Sequence, residues 1–197
     1  MAEKWIEIKN RLKRSKISEF NPTIRIGSGG RSVGGVNFDA VNRKRVKILS
    51  RYGRILTTDI TRFYPSIYTH SIPWALHGKE WVKANFKTPA FKSGFANRLD
   101  AAVRAGQNGQ TVGIPIGPDT SRILSELVAA ELESVIEANI PDLGARAVRY
   151  VDDMIIGLED HETAEAVLSK ISLALYDYEL EFNGTKTQVY GLGKSHK

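Results

Sequence analysis

Residues 149–157 read RYVDDMIIG, with Asp152 and Asp153 set between an aromatic-aliphatic run and an aliphatic one. Tyr150 and Val151 before the pair, and Ile155 and Ile156 after it, read as two short strands. The longer stretch ARAVRYVDDMIIGLE therefore has the pattern of a hairpin that turns at the aspartates. Its apolar flanks put the turn near a core, where adjacent carboxylates repel unless something positive neutralises them. Either the pair is plain turn chemistry or it holds a cation.

A third carboxylate sharpens the choice. GRILTTDIT (53–61) reads as a strand that ends at or near Asp59. Asp59 is far from the pair in sequence, yet neighbouring strands of one sheet can present their ends together. Three carboxylates gathered there need a divalent cation. Oxygen donors without histidine or cysteine point to Mg²⁺, with Mn²⁺ second. Mg²⁺ takes one or two protein carboxylates and fills its shell with water and substrate phosphates, the arrangement of phosphoryl-transfer sites.

The rest of the chain reads as mixed helices and strands. Residues 1–17 suit a short amphipathic helix with Trp5, Ile8 and Leu12 on one side. GSGGRSVGG (27–35) is a loop, and it is not a P-loop because Gly-Lys-Ser/Thr is missing and no helix signal follows. FYPSIYTHSIPWALHG (63–78) reads as a turn and then a helix, and 79–107 as mostly helical with a break near KTPA. GIPIGPDTS (113–121) is a Gly/Pro loop, after which Asp119 or Thr120 is expected to cap a helix to about Asn139. Asp160 is expected to cap a further helix to about Tyr178, and LEFNGTKTQVYGLG to add one or two short strands. Without a repeating βαβ order, the expected class is α+β.

Composition narrows the function. The 197 residues contain no cysteine, which excludes a disulfide framework and thiolate metal sites. No signal-peptide core opens the chain and no apolar run reaches the roughly 18–20 residues of a membrane span, so a cytoplasmic protein is the default expectation. The net charge of +6 is uneven: residues 1–58 carry 14 Lys+Arg against 4 Asp+Glu, and the remainder is acidic. A basic front and an acidic back suit a chain that grips a polyanion with one part and handles cations with the other.

Four segments, in order, resemble the motifs of reverse transcriptases: LTTDITRFYPSIY, GIPIGPDTS, YVDD and FNGTKT. FYPSIYTHSIPWALHGK and GIPIGPDTSR look like the abortive-infection, phage-defence branch of bacterial reverse transcriptases. The resemblance implies a palm with antiparallel sheet and packed helices over 59–197, a basic N-terminal or fingers segment over 1–58, and fingers elements inserted around 79–110. It also implies RNA-directed DNA synthesis from dNTPs on an RNA template and a DNA or protein primer. Asp59 and Asp152 are expected to bind two Mg²⁺ ions, with Asp153 assisting and the Ile60 carbonyl as a further ligand. Arg62, Phe63, Tyr64 and Gly117 are expected at the nucleotide, with Tyr64 beneath the ribose where a 2′-hydroxyl would collide. Lys186 is expected at the leaving pyrophosphate, and Arg43, Lys44 and Arg45 at template or triphosphate. His70 and His77 are expected to be structural or surface residues, and Trp74 and Trp81 to pack in the core.

Two departures stand out. Ile116 occupies the place where the second motif commonly carries glutamine. No helical thumb follows Lys186, which implies either a fragment or a thumb supplied from elsewhere, for example by an oligomer. Untemplated or protein-primed DNA synthesis, and a non-catalytic nucleic-acid-binding or assembly subunit, are the competing readings.

Overall fold

The computed structural model describes residues 4–24, 33–160 and 162–191. In chain order, α1 (Trp5–Leu12), β1 (Phe20–Ile24), β2 (Val33–Val36) and α2 (Phe38–Arg51) lead into β3 (Arg54–Asp59). Then come α3 (Phe63–Ser66), α4 (Ser71–His77), α5 (Lys79–Asn85), α6 (Pro89–Ser93), α7 (Phe95–Ala105) and the long α8 (Asp119–Asn139). The last elements are α9 (Leu143–Arg146), β4 (Ala147–Tyr150), β5 (Asp153–Leu158), α10 (Ala164–Asp177) and β6 (Gln188–Gly191). The architecture is α+β: β4, β5, β3 and β6 form one antiparallel sheet in that order, and β1 and β2 pair apart from it.

Strand periodicity decides what the sheet presents on each face. Leu56, Met154 and Ile156 point into the main core, where Leu124, Val128, Leu132 and Ile136 of α8 and Val167, Ile171 and Leu175 of α10 meet them. The opposite face carries Ile55 with Val148 and Ile155, which pack on Val41, Ile48 and Tyr52 around α2. Two residues along β3 from Ile55, and again two further on, stand Thr57 and Asp59. The sheet face that α2 covers at one end is therefore open at the end that carries the aspartate.

Local chemistry explains most element boundaries. Asn37 caps α2, its Oδ1 accepting the Ala40 N–H at 3.0 Å. Thr88 caps α6 ahead of Pro89, which is the break expected near KTPA. The cap expected from Asp160 is made by Thr163, whose hydroxyl accepts the Ala166 N–H at 3.2 Å and starts α10 four residues later. Nor does Asp119 or Thr120 cap α8. Pro118 stands at the cap position, Asp119 lies in the first turn, and its Oδ2 accepts the Val33 N–H at 3.0 Å, tying β2 to the helix. Trp74 is buried, but Trp81 is 49% exposed, so its core placement is corrected: it lies at the surface between the rings of His77 and Phe91. The loop expected over 27–35 falls outside the described residues as far as 32, and 33–35 belong to β2.

Gly157 shows how closely α2 and its following turn sit on the sheet. A Cβ there would lie 2.3 Å from Cδ2 and 2.4 Å from Cγ of the Tyr52 ring. The near atoms are the root of a buried ring rather than a flexible tip, so the ring must shift. Gly157→Ala is expected to destabilise the protein by about 1–3 kcal/mol through overpacking. A thermal melt showing an unchanged Tm would mean that the ring moves aside without cost.

Candidate active site

The hairpin turns where the sequence places it. Tyr150 pairs with Asp153, leaving Val151 and Asp152 as a two-residue loop. Val151 has φ 58°, a left-handed conformation at the first central position, where hairpins ordinarily carry glycine. For a β-branched side chain this costs on the order of 1–3 kcal/mol and persists only when the surroundings enforce it.

Register sets Asp59 opposite Asp153, with Asp152 in the adjoining turn within electrostatic reach of both. Asp59 pairs with Asp153 across β3 and β5, and the Ile60 N–H donates to the Asp152 carbonyl at 3.3 Å. Asp59 is buried, Asp152 half-buried and Asp153 exposed. Although Asp153 is exposed, partial desolvation by its neighbours raises its carboxyl above the usual range, and Asp59 raises it further, against Lys186 and Arg45. Burial also raises Asp152, a backbone hydrogen bond opposes this, and Asp59 and Asp153 add to the rise. These are the marks of negative charge packed closer than water alone can screen.

Lys186 answers part of that charge. Its ammonium donates to Asp59 Oδ2 at 2.9 Å, and this bond, with the Asp59 charge, raises its own pKa. The turn that delivers it is built by Asn183. The Asn183 N–H donates to the Asp59 carbonyl at 2.8 Å, and Asn183 Oδ1 accepts from the Thr185 N–H and hydroxyl. Thr187 meets Thr58 through their hydroxyls at 2.8 Å. Asp59, Asp153, Lys186 and Arg45 line one open cleft of about 350 Å³, together with Thr57, Thr185, Gln188 and Tyr190.

Other expected residues are distributed around this cleft. Tyr64 is half-buried, with Ser125 of α8 near its phenol and Asp152 within electrostatic reach. Burial raises its phenol, Ser125 opposes this, and Glu126 adds to the rise. Phe63 is buried with its ring 5.9 Å from that of Tyr64, so only its backbone is available to a nucleotide. Arg62 lines a different cavity, with Pro65, Ser66, Tyr68, Val112 and Glu179. Gly117 has φ 120° and open space where a Cβ would point, and Ile116 beside it is 74% exposed. Of the basic run on α2, Arg45 reaches the cleft and Arg43 is exposed. Lys44 is turned away: it donates to the Lys16 carbonyl at 2.6 Å and pairs with Glu19 at 2.9 Å. Its expected template contact is thus replaced by a tie between α2 and the N-terminal segment. His70 is structural, with Nδ1 2.6 Å from the fully buried Asp100, and His77 is exposed.

Among the described residues no three acidic or imidazole side chains stand gathered into a ready metal-holding group. The cationic place at Asp59 is taken by the exposed ammonium of Lys186. Hard oxygen donors whose charge is only partly compensated do fit a hydrated divalent ion sharing the site with phosphate oxygens.

The family model for reverse transcriptase (RNA-dependent DNA polymerase) matches residues 7–194. The chain belongs to the reverse transcriptase family. No curated protein matches it. Among solved structures, the chain resembles apo telomerase from Candida tropicalis truncated from its C-terminal domain, with a TM-score of 0.52 and 16% identity over 80% of this chain and 35% of that one. It also resembles telomerase from Candida albicans in complex with a TWJ fragment of telomeric RNA, with a TM-score of 0.54 and 13% identity over 96% of this chain and 34% of that one. These likenesses concern the fold, and this reverse transcriptase chain spans about a third of the length of either telomerase chain.

Sequence reasoning overlooked the residues beneath this reverse transcriptase site. Arg149 is fully buried with Glu126 and Glu133 of α8, and its Nη1 donates to the Val151 carbonyl at 2.7 Å. Burial works against its charge, but the two glutamates outweigh that and hold its pKa above the usual value. The available signal was an arginine at an inward position of β4 and two glutamates seven residues apart on the apolar face of a helix.

Proposed function

We propose that this chain is the polymerising core of an RNA-directed DNA polymerase that adds dNTPs to a 3′-hydroxyl in antiviral, phage-directed defence. The observation that carries the reaction is the pairing of Asp59 with Asp153 at adjoining strand ends, with Asp152 within electrostatic reach and the Lys186 ammonium on Asp59. The defence role rests on the resemblance of FYPSIYTHSIPWALHGK and GIPIGPDTSR to that bacterial branch.

Asp59, Asp152 and Asp153, with the Ile60 carbonyl, would hold Mg²⁺. When bound, two such ions activate the attacking hydroxyl and neutralise the triphosphate and its leaving pyrophosphate. The chain's own contribution is positioning. Lys186 stands ready to move from Asp59 to the pyrophosphate and supply charge or a proton there. The backbones of Arg62 and Phe63 steady the triphosphate, Tyr64 lies under the sugar, and Gly117 lets the chain pass close to the nucleotide or template. In this reading residues 1–58 form the basic, fingers side, 59–197 the palm with fingers elements around 79–110, and the protein works in the cytoplasm. Among the described residues no helix is long and apolar enough to cross a membrane.

The test is incubation of the full-length protein with labelled dNTPs and Mg²⁺, with and without RNA, followed by sequencing of the product. RNA-dependent, complementary DNA supports the proposal. Product formed without RNA moves the chain to untemplated or protein-primed synthesis. No product from the intact protein leaves a nucleic-acid-binding subunit.

The basic front end adds a separate expectation. Residues 1–197 alone bind nucleic acid weakly, with log K falling linearly against log salt by about 0.9 for each duplex phosphate neutralised. Filter binding across a salt series checks this: a flat line removes 1–58 from the interface.

A further inference from the structure

We infer that Arg149, Glu126 and Glu133 form a clamp that sets the Val151–Asp152 turn for catalysis, with Arg149 a positioning residue acting through the Val151 carbonyl. This rests on the polymerase reading and adds to it a set of residues that never touches the substrate.

The guanidinium is fixed from several directions. Nε donates to Glu133 Oε1, Nη2 donates to Glu126 Oε2 at 2.8 Å, and Nη1 reaches Glu126 Oε1 at 3.3 Å. Nη1 also donates to the Val151 carbonyl at 2.7 Å, so an immobilised donor grips the loop residue just before Asp152. The glutamates are themselves held. Ser15 Oγ donates to Glu133, Ser18 Oγ donates to Glu126 at 3.2 Å, and the Arg149 N–H donates to the Ile17 carbonyl at 2.9 Å.

Stability alone gives no reason for such a cluster. Desolvating three charges is expensive, and buried ion triads are often replaced by apolar side chains without loss. What apolar side chains cannot supply is a directed hydrogen bond to a carbonyl. Val151 calls for one, because it holds φ 58° without the freedom of glycine. Relaxation of that residue would swing Asp152 and Asp153 away from Asp59. The same stretch of α8 carries Ser125, which lies near the phenol of Tyr64, so one helix runs beneath both the carboxylate turn and that ring.

The test uses the full-length protein and a primer-extension assay. One variant combines Arg149→Met with Glu126→Gln and Glu133→Gln, which removes the charges together and keeps acceptors for the two serines. A second, Arg149→Lys, keeps a charge for the glutamates but loses the fork that reaches Val151. In either, if folded by circular dichroism, kcat is expected to fall at least about tenfold while the dNTP KM stays within about threefold, the sign of lost transition-state positioning. Adding Val151→Gly, which adopts positive φ unaided, restores kcat to near that of Val151→Gly alone. A crystal structure gives a readout independent of activity: residue 151 leaves the left-handed region in the clamp variants and returns with glycine. Wild-type kcat in a folded Arg149→Lys protein, no rescue by glycine, or an unmoved φ at Val151 would overturn the clamp. An inactive wild type sinks the polymerase reading instead, and the φ measurement still decides the clamp.

Discussion

Asp152→Asn is expected to reduce nucleotide incorporation by at least about a thousandfold while the protein stays folded. The size follows from what a metal ligand supplies: several kcal/mol of charge stabilisation, with each ~1.4 kcal/mol worth a factor of ten in rate. This side chain costs the fold more than it returns. Asp152 is half-buried beside Asp59 and Asp153, and both neighbours disfavour its charge. Asparagine keeps the shape and removes one of three crowded negative charges, so the Tm is expected to stay level or rise. The two measurements together are decisive. Full activity would remove Asp152 from the metal site, and a collapse in the circular dichroism spectrum would make it a structural residue.

The pattern that makes Asp152 readable from sequence is local. An apolar run on each side of an Asp-Asp pair encodes a hairpin, and RILTTD encodes a strand with its acid at the end. Strand spacing then does the rest, since register sets Asp59 opposite Asp153 without further information. The long α8 was legible because Ile123, Leu127, Val128, Leu132 and Ile136 recur at helical spacing and end up buried. Caps were harder. Several of Ser, Thr, Asp and Asn commonly stand near a helix start, and tertiary geometry chooses among them. Thr163 was preferred to Asp160, and Asp119 was recruited to hold β2.

What could not be read was set by contacts between distant segments. The sequence reading assigns no element to residues 38–51, because the helix α2 buries only Val41 and Ile48 and leaves Val46 and Leu49 exposed. Its apolar stripe is too narrow to stand out among NRKRVK. Lys44 and Arg45 are adjacent and alike in sequence, yet successive helix positions point about 100° apart. One holds the N-terminal segment and the other faces the carboxylates. Trp81 looked like a core residue from its size alone, but its helix α5 buries only Val82. The Arg149 cluster was hidden for a related reason: charge in a sequence reads as surface until its partners are known.

Tyr64→Val is expected to raise the ratio of kcat/KM for rNTP over dNTP by on the order of a hundredfold, equivalent to about 2.7 kcal/mol of relieved steric exclusion. Tyr64 stands five residues after Asp59, and its backbone carbonyl accepts the Ile114 N–H at 2.9 Å, which fixes the start of its side chain against the Gly/Pro loop. Phe63 at 5.9 Å and partial burial restrain the ring, and its hydroxyl lies near Ser125. A ring so held cannot swing aside for one extra hydroxyl, whereas valine ends short of it. Loss of packing also costs the protein about 1–3 kcal/mol of stability, so dNTP use falls as well, by a smaller factor than rNTP use gains. Tyr64→Phe separates the two effects. It removes only the hydroxyl that lies near Ser125 and keeps the plane of the ring, so the sugar ratio stays at the wild-type value if exclusion is steric. A shift in Tyr64→Phe equal to that in Tyr64→Val would assign the selectivity to the hydroxyl. An unchanged ratio in both would make Tyr64 a packing residue, and the choice of sugar would then have to lie in the loop that carries Ile116 and Gly117.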